Sequence, residues 1–390
     1  MGAAVGLTQR GWALLAVAVV LAAGALLFGI HELYAIAGAA VVLIGGARLW
    51  VGGQRWDIRV VRHVRPTRVP AGVAARVELA VVNHSSRRSP VLAARDPFDG
   101  GKRWARFLIA PLDPGEVRWA AYTLPTSRRG VFTLGPLELE LSDPFGLARI
   151  VSIGCSPSTL TVHPRVDVIR SRFTPAEREP DIRVPLPVLG RVGEEFYGLR
   201  EYRDGDDLRR VHWASTARVD RLMIRQPESL MQGKLTVAID LRTGMHDPST
   251  LEAMLSAGAS VVMAGMRGRI QVRLVTTAGV DSGFGSAARH GSALLDALAG
   301  AELRAGSTLI HDLRVGPGVG PLTLLTTDAA SDVELAAISR AAGRSQLTLV
   351  VFERSGEGRG FGFGRIPGRD RVLTVLSGGS FPAAWEAVPC

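Results

Sequence analysis

The first periodicity in the chain is no periodicity at all: Gly11 to Ile30 is apolar without a break. At roughly 20 residues the run is long enough to cross a bilayer as a helix. His31 and Glu32 interrupt it. A second apolar stretch runs from Leu33 to Leu43 and on through Gly45, Gly46 and Ala47 to Trp50, with Arg48 near its end. Two spans joined by so short a turn predict a helical hairpin over residues 1–54. From Trp56 to about Arg165 the pattern becomes alternation punctuated by turns. Ile58, Val60 and Val64 lead to Pro66, and Val73 to Val82 predicts a strand closed by Asn83-His84-Ser85-Ser86. Val117 to Leu124 predicts another strand. Gly130 to Leu141 predicts two short ones split at Gly135-Pro136, and Ser142 to Gly146 a turn. Short strands at this spacing predict a β-rich, sandwich-like domain over 55–165.

Beyond residue 232 the pattern changes again. Leu235 to Ile239 predicts a strand ending at Asp240, and Leu251, Met254, Leu255, Gly258, Ala259 and Val262 recur at helical spacing. Strands follow over Ile270–Thr277, Leu322–Thr327, Leu347–Phe352 and Val372–Leu376, with helices over Ser292–Leu303, Asp332–Ala342 and Phe381–Val388. Near-continuous apolar strands alternating with helices predict a doubly wound α/β domain over 233–390, its parallel sheet buried on both faces. The chain is therefore multidomain, and residues 166–232 form a charged segment between its β-rich and α/β parts.

Charge places the hairpin. Arg10 precedes the first span, and Arg48, Arg55, Arg59, Arg62, Arg65 and Arg68 follow the second. The positive-inside rule then predicts a two-span protein of the cell membrane with both termini cytoplasmic, and Trp12, Trp50 and Trp56 suit interfacial anchoring. A cleaved signal peptide competes with this reading, but a second span follows at once and no clear small-residue cleavage site intervenes. The net charge of +10 rests almost wholly on arginine, with Lys102 and Lys234 the only lysines. These cations are scattered and form no long basic run, so no nucleic-acid partner is expected; the lipid bilayer is the partner the charge favours. The arginines of the β region read either as an anionic-lipid face or as the charged outer face of an antiparallel sheet. Cys155 and Cys390 can build neither a disulfide framework nor a zinc site.

In doubly wound sheets the ligand crevice lies beyond the carboxyl ends of the strands. Asp240 and Asp328 both fall there, and Thr308 lies in the loop before the strand that ends at Asp328. Two carboxylates and a hydroxyl on one rim could hold Mg²⁺, a hard cation that takes oxygen ligands; equally, each Asp could cap the loop or helix that follows. No G-x-x-x-x-G-K-[ST], H-E-x-x-H or G-x-S-x-G occurs, and no catalytic residue is assigned. Gly356 to Gly364 reads as a flexible loop.

The densest chemistry lies in Gly193 to Glu228, where Glu195, Phe196, Arg200, Tyr202, Gly205, Asp206, Arg209, Trp213 and Arg218 mix both signs of charge with aromatics. Three readings stand. The segment docks a partner; or Glu195, Asp204, Asp206 and Asp207 hold a metal with His212 as acid/base in a hydrolase or nuclease; or it is structural. In the last case Asp206 caps a helix reaching Ala214, Trp213 packs under it, and Arg218 and Arg225 pair with Glu195, Glu201 or Glu228.

These residues, with Leu199 and Ala217, resemble the signature of the bacterial domain of unknown function 58 family. Arg129 to Pro136 and Asp143 to Leu147 are similar to the upstream β region of its longer members. The resemblance implies a von Willebrand factor A-like C-terminal domain and association with MoxR-type AAA+ ATPases that assemble or remodel protein complexes; it implies no enzymatic activity. A metal site of the von Willebrand factor A kind begins Asp-x-Ser-x-Ser. Asp240 matches, and Thr308 and Asp328 resemble the remaining ligands, but Arg242 and Gly244 replace both serines. The membrane tether, the altered metal motif and the absence of a catalytic motif together point to a membrane-anchored interaction scaffold, with Mg²⁺ opposed by a guanidinium that would neutralise Asp240 or Asp328.

Overall fold

The computed structural model describes residues 5–170, 197–202, 211, 213–219, 221–227, 233–313, 320–342, 346–354 and 371–387. The chain divides into two compact units, Met1–Arg165 with Leu298–Gly300, and Val166–Ala297 with Ala301–Cys390.

The first unit begins with β1 (Val5–Leu7), α1 (Gln9–Phe28) and α2 (His31–Gly53). Both helices are long and apolar enough to cross a membrane, with mean hydropathy of 2.4 and 1.7. Large apolar side chains such as Leu27 and Val42 point outward, 80% and 74% exposed. The turn is tighter than predicted. Gly29 takes the left-handed conformation (φ 71°) that ends α1, and His31 and Glu32 already belong to α2, where an acidic residue in the first turn suits the helix dipole. Trp12 and Trp50 are exposed. Trp56 instead packs against the sandwich core, because it lies in the link that feeds the first long strand, past the end of α2.

That strand is β2 (Ile58–Arg65), followed by β3 (Arg68–Pro70), β4 (Ala75–Asn83), β5 (Leu92–Phe98), β6 (Arg103–Ile109), β7 (Val117–Leu124), β8 (Gly130–Leu134), β9 (Leu137–Ser142), β10 (Ala148–Cys155) and β11 (Ser158–His163). They form a three-stranded sheet β2-β4-β7 and a larger one in the order β1-β10-β9-β5-β8-β11-β3, with β6 added to β5. Alternate residues of both sheets, among them Val77, Leu79, Leu92, Leu139, Leu141 and Leu160, interdigitate in one core. The sequence pattern did not reveal β5, β6, β10 or β11. Pro97 and interspersed arginines break the alternation in β5, β6 and β10, and β6 is largely exposed and β10 largely half-exposed. β1 pairs antiparallel with β10, Val5 opposite Ile150. The segment before the hairpin and the sandwich after it therefore lie at the same end of the two helices.

In the second unit, β12 (Tyr197–Glu201) and β13 (Met223–Pro227) form an antiparallel ribbon with α3 (Trp213–Val219) between them. Then come β14 (Lys234–Ile239), α4 (Pro248–Arg267), β15 (Gln271–Thr276), α5 (Ala288–Ala299), α6 (Leu309–Leu313), β16 (Leu322–Thr327), α7 (Asp332–Ala342), β17 (Leu347–Phe352), β18 (Arg371–Val375) and α8 (Phe381–Ala387). The five strands β14 to β18 are parallel in the order β15-β14-β16-β17-β18. After β14 the chain moves first to one side and then to the other, so the switch point lies between β14 and β16. α5 starts and stops earlier than its apolar spacing predicted. The segment after it instead runs beside Leu241–Thr243, with Arg304 accepting from Thr243 N and donating to Leu241 O.

Candidate functional site at the switch point

Asp240 leaves the carboxyl end of β14 with none of its surface exposed. Its carboxylate is fully engaged. Arg242 donates from Nε to Oδ1 (3.0 Å), from Nη2 to Oδ2 (2.9 Å) and from its backbone N to Oδ1 (3.1 Å). Thr326, the penultimate residue of β16, donates from its hydroxyl to Oδ2 (3.0 Å). The guanidinium extends further, Nη1 donating to Glu334 Oε1 at 2.7 Å. Glu334 stands in the first turn of α7, where it also receives Leu309 N (3.3 Å) and closes a capping box with Ser331. Gly306 lies against the stem of Arg242, so close that an added Cβ would meet Cγ at 2.8 Å. One arginine thus ties together β14, the start of α7 and the loop leading into α6.

The electrostatics follow. Burial raises the Glu334 pKa, but the hydrogen bond and charge of Arg242 overcome this and hold the carboxyl below its ordinary value. Burial alone would lower the Arg242 pKa, yet its bonds to Asp240 and Glu334 raise it, so the guanidinium stays charged. Asp328, at the end of β16, makes a separate pair with Arg354 (2.8 Å). Thr308 is exposed at the entrance to α6, where its carbonyl accepts from Asp312 N.

A divalent cation needs free carboxylate lone pairs in a shell shared with water. Here a forked guanidinium takes both oxygens of Asp240, a second arginine holds Asp328, and the hydroxyl on Asp240 belongs to Thr326 and not Thr308. Asp240, Thr308 and Asp328 as arranged do not fit Mg²⁺. Among the described residues no group of three or more His, Cys, Asp or Glu is placed to hold a metal. Sequence reading missed Thr326 and Glu334. The Ser331-x-x-Glu334 spacing was legible, but only as a helix start.

His246 sits in the same β14–α4 loop. Burial lowers its pKa, the charge of Asp240 opposing and that of Arg242 assisting, with Asp247 also nearby. A depressed histidine stabilises the fold fully above its unfolded value, near 6.5, and this contribution is lost as pH falls through the folded value; Glu334 acts with the same sign at lower pH. Thermal unfolding of the full chain in detergent should therefore show the α/β unit losing stability from pH 7 to 5. His246→Gln should flatten that slope; an unchanged slope would exclude His246 as its source. Beside the loop, a cleft of about 290 Å³ opens at the end of β15, with Thr277, Asp281, Arg304, His311 and Asp312 in its walls.

Of the signature residues, Glu195, Phe196, Gly205, Asp206 and Arg209 lie outside the described residues, as do Asp204, Asp207 and His212. Arg200 belongs to β12, opposite Ile224 of β13. Tyr202 follows directly, its N–H bonded to Leu222 O (2.8 Å). The short helix begins at Trp213, later than its spacing predicted, because Val211 is taken up in a β-bridge. Trp213 is consequently 69% exposed and does not pack under the helix; Arg218 is exposed as well.

Two membrane-length helices, a β-sandwich and a doubly wound α/β unit with an internally neutralised rim define the class of protein. Within it, residues 198–280 match the family model described as "Protein of unknown function DUF58", and β14, the Asp240–Arg242 loop and all of the signature ribbon but Tyr197 fall inside that match. No curated protein matches the chain. Among solved structures it is similar to the CARDB domain of a Pyrococcus furiosus protein (14% identity, 28% of this chain and 94% of that one, TM-score 0.21). It is also similar to the putative ApaA protein of Bordetella pertussis (13%, 28% and 94%, 0.20) and a Listeria innocua β-glucosidase (15%, 27% and 16%, 0.18). Scores this low carry no functional reading.

Proposed function

We propose that the chain is a membrane-anchored interaction scaffold. Its α/β unit, von Willebrand factor A-like and facing the cytoplasm, would engage a MoxR-type AAA+ ATPase or that ATPase's client. The observation that carries this reading is the saturation of the rim: Asp240, Arg242 and Glu334 satisfy one another, as do Asp328 and Arg354. Groups so committed order a loop and leave no free acid, base or nucleophile among themselves. The doubly wound sheet, and Asp240 in the first position of the expected metal motif, support the von Willebrand factor A-like assignment. The arginines flanking the two helices support cytoplasmic termini.

The test is co-purification of the full chain in detergent with a MoxR-type ATPase encoded beside it, with and without nucleotide. Retention of the ATPase, weakened by substitutions in the β14–α4 loop that preserve folding, is the expected result. Reproducible failure to retain it under every nucleotide condition would remove the proposal.

A further inference from the structure

The turn from Asp143 to Ala148 in the first unit is tightly hydrogen-bonded yet carries an aromatic side chain, Phe145, that is mostly exposed. Asp143 is buried, and its carboxylate accepts the backbone N–H groups of Phe145 (2.8 Å), Leu147 (2.7 Å) and Ala148 (2.6 Å). The turn is in turn clamped to the start of α1. Thr8, the N-cap, donates its hydroxyl to Gly146 O and its backbone N to Leu147 O, and Gly11 lies against the Leu147 carbonyl with no room for a side chain. Leu147 packs inward with Ala47, Val51 and Ala148, whereas Phe145, two residues earlier, is 63% exposed. The backbone of such a turn is satisfied by Asp and Gly alone, so the phenylalanine is not needed to form it.

Its surroundings say what covers it. α1 rises about 1.5 Å per residue, which places the exposed Trp12 roughly one turn beyond Thr8. Trp50, also exposed, stands near the end of α2, where Gly52 packs on Val5. The guanidinium of Arg10 lies beside Gly146, and Arg48 donates to Val5 O (3.2 Å). Two tryptophans, a phenylalanine and two arginines thus share one level at the end of the hairpin, the combination that suits the headgroup layer of an anionic bilayer. We propose that the β9–β10 turn is a lipid-contacting seat: Phe145 enters the headgroup layer beside α1 and holds the sandwich flush on the membrane. The proposal rests on reading α1 and α2 as spans.

The full chain, with Cys155 and Cys390 replaced by serine, would be placed in nanodiscs containing phosphatidylserine. Bimane would be attached in turn at Phe145→Cys, Trp12→Cys, Val20→Cys and Thr67→Cys, the last at the far end of β2, and quenched with headgroup-nitroxide or acyl-chain-nitroxide lipid. Headgroup quenching at position 145 should equal that at position 12 and exceed that at position 67 several-fold. Quenching at position 20 by acyl-chain nitroxide without headgroup quenching at 145 would overturn the seat and leave the spans standing. No quenching at 20 would overturn both. A bimane at Ser142→Cys separates the phenylalanine from its label: its headgroup quenching should fall when Phe145→Asp is added, and unchanged quenching would also overturn the proposal.

Discussion

Replacing Arg242 with serine should lower the unfolding midpoint of the α/β unit by on the order of 10 °C and create a response to Mg²⁺ that the native chain does not have. The first effect follows from what remains. Asp240 is wholly buried and would keep only the Thr326 hydroxyl and the backbone N–H of residue 242, while Glu334 would lose its cation. Removing one partner from a buried ionic network costs about 3–5 kcal/mol, and a unit of this size shifts by about 2–4 °C per kcal/mol. The second effect follows from the lone pairs released: each oxygen of Asp240 loses its guanidinium donor beside a new hydroxyl at position 242, and a cation bound only by the folded state raises the midpoint by mass action. Arg242→Lys keeps the charge but not the fork, so it should fall between native and serine. Scanning calorimetry in detergent with millimolar Mg²⁺ or EDTA checks all three. A native midpoint that rises with Mg²⁺ and falls with EDTA would show that the guanidinium does not substitute for a cation.

The sandwich should be as sensitive at Arg62. Arg62 and Asp96 are paired at 2.6 Å with both side chains fully buried. Arg62 also donates to Leu134 O (3.0 Å) and Ser156 O (3.2 Å), and the Tyr122 hydroxyl donates to the other oxygen of Asp96 (2.5 Å). The network joins β2, β5, β7 and the end of β8 across the core. Burial already raises the Asp96 pKa, with Tyr122 and Arg62 lowering it. Arg62→Met removes that relief and leaves a buried carboxylate, at a cost of about 3–5 kcal/mol near neutral pH. The sign of its pH dependence is fixed: a carboxyl raised in the folded state binds more protons there, so the variant should lose stability as pH rises above its unfolded value near 3.8. Arg62→Met with Asp96→Leu should lose much less than the two single losses summed, because no charge is stranded. Additive losses in thermal unfolding would mean that the pair is not coupled.

Elements built on unbroken local patterns were legible in the chain. The apolar runs gave the two helices, and alternation split at Gly135-Pro136 gave β8 and β9. Apolar runs bounded by Asp240 and Asp328 gave β14 and β16, and α7 runs from Asp332 to Ala342 as its spacing predicts. Elements escaped where the pattern was weak. β5 contains Pro97, β6 is largely exposed and β10 largely half-exposed, and β1 has three residues that become a strand only against β10. At the site, Asp240 could be picked out because it follows a buried strand in a doubly wound pattern, and Arg242 because it stands where a serine was expected.

The sequence alone determined the strongly patterned helices and strands and the two helices long and apolar enough to cross a membrane, since periodicity and length are properties of neighbouring residues. Tertiary structure decided which charges meet. Asp240 looked like one ligand of a three-residue set with Thr308 and Asp328. In the fold its partners are Arg242, Thr326 and Glu334, while Asp328 goes to Arg354. Arg62 counted in the sequence only as one of the arginines after the second apolar run and nothing linked it to Asp96, and nothing in the turn holding Phe145 showed that Thr8 clamps it. The physical reason is the same in each case. A buried charge takes the partner that chain closure brings within about 3 Å in good geometry, and closure over tens of residues leaves no local imprint on the pattern of the chain.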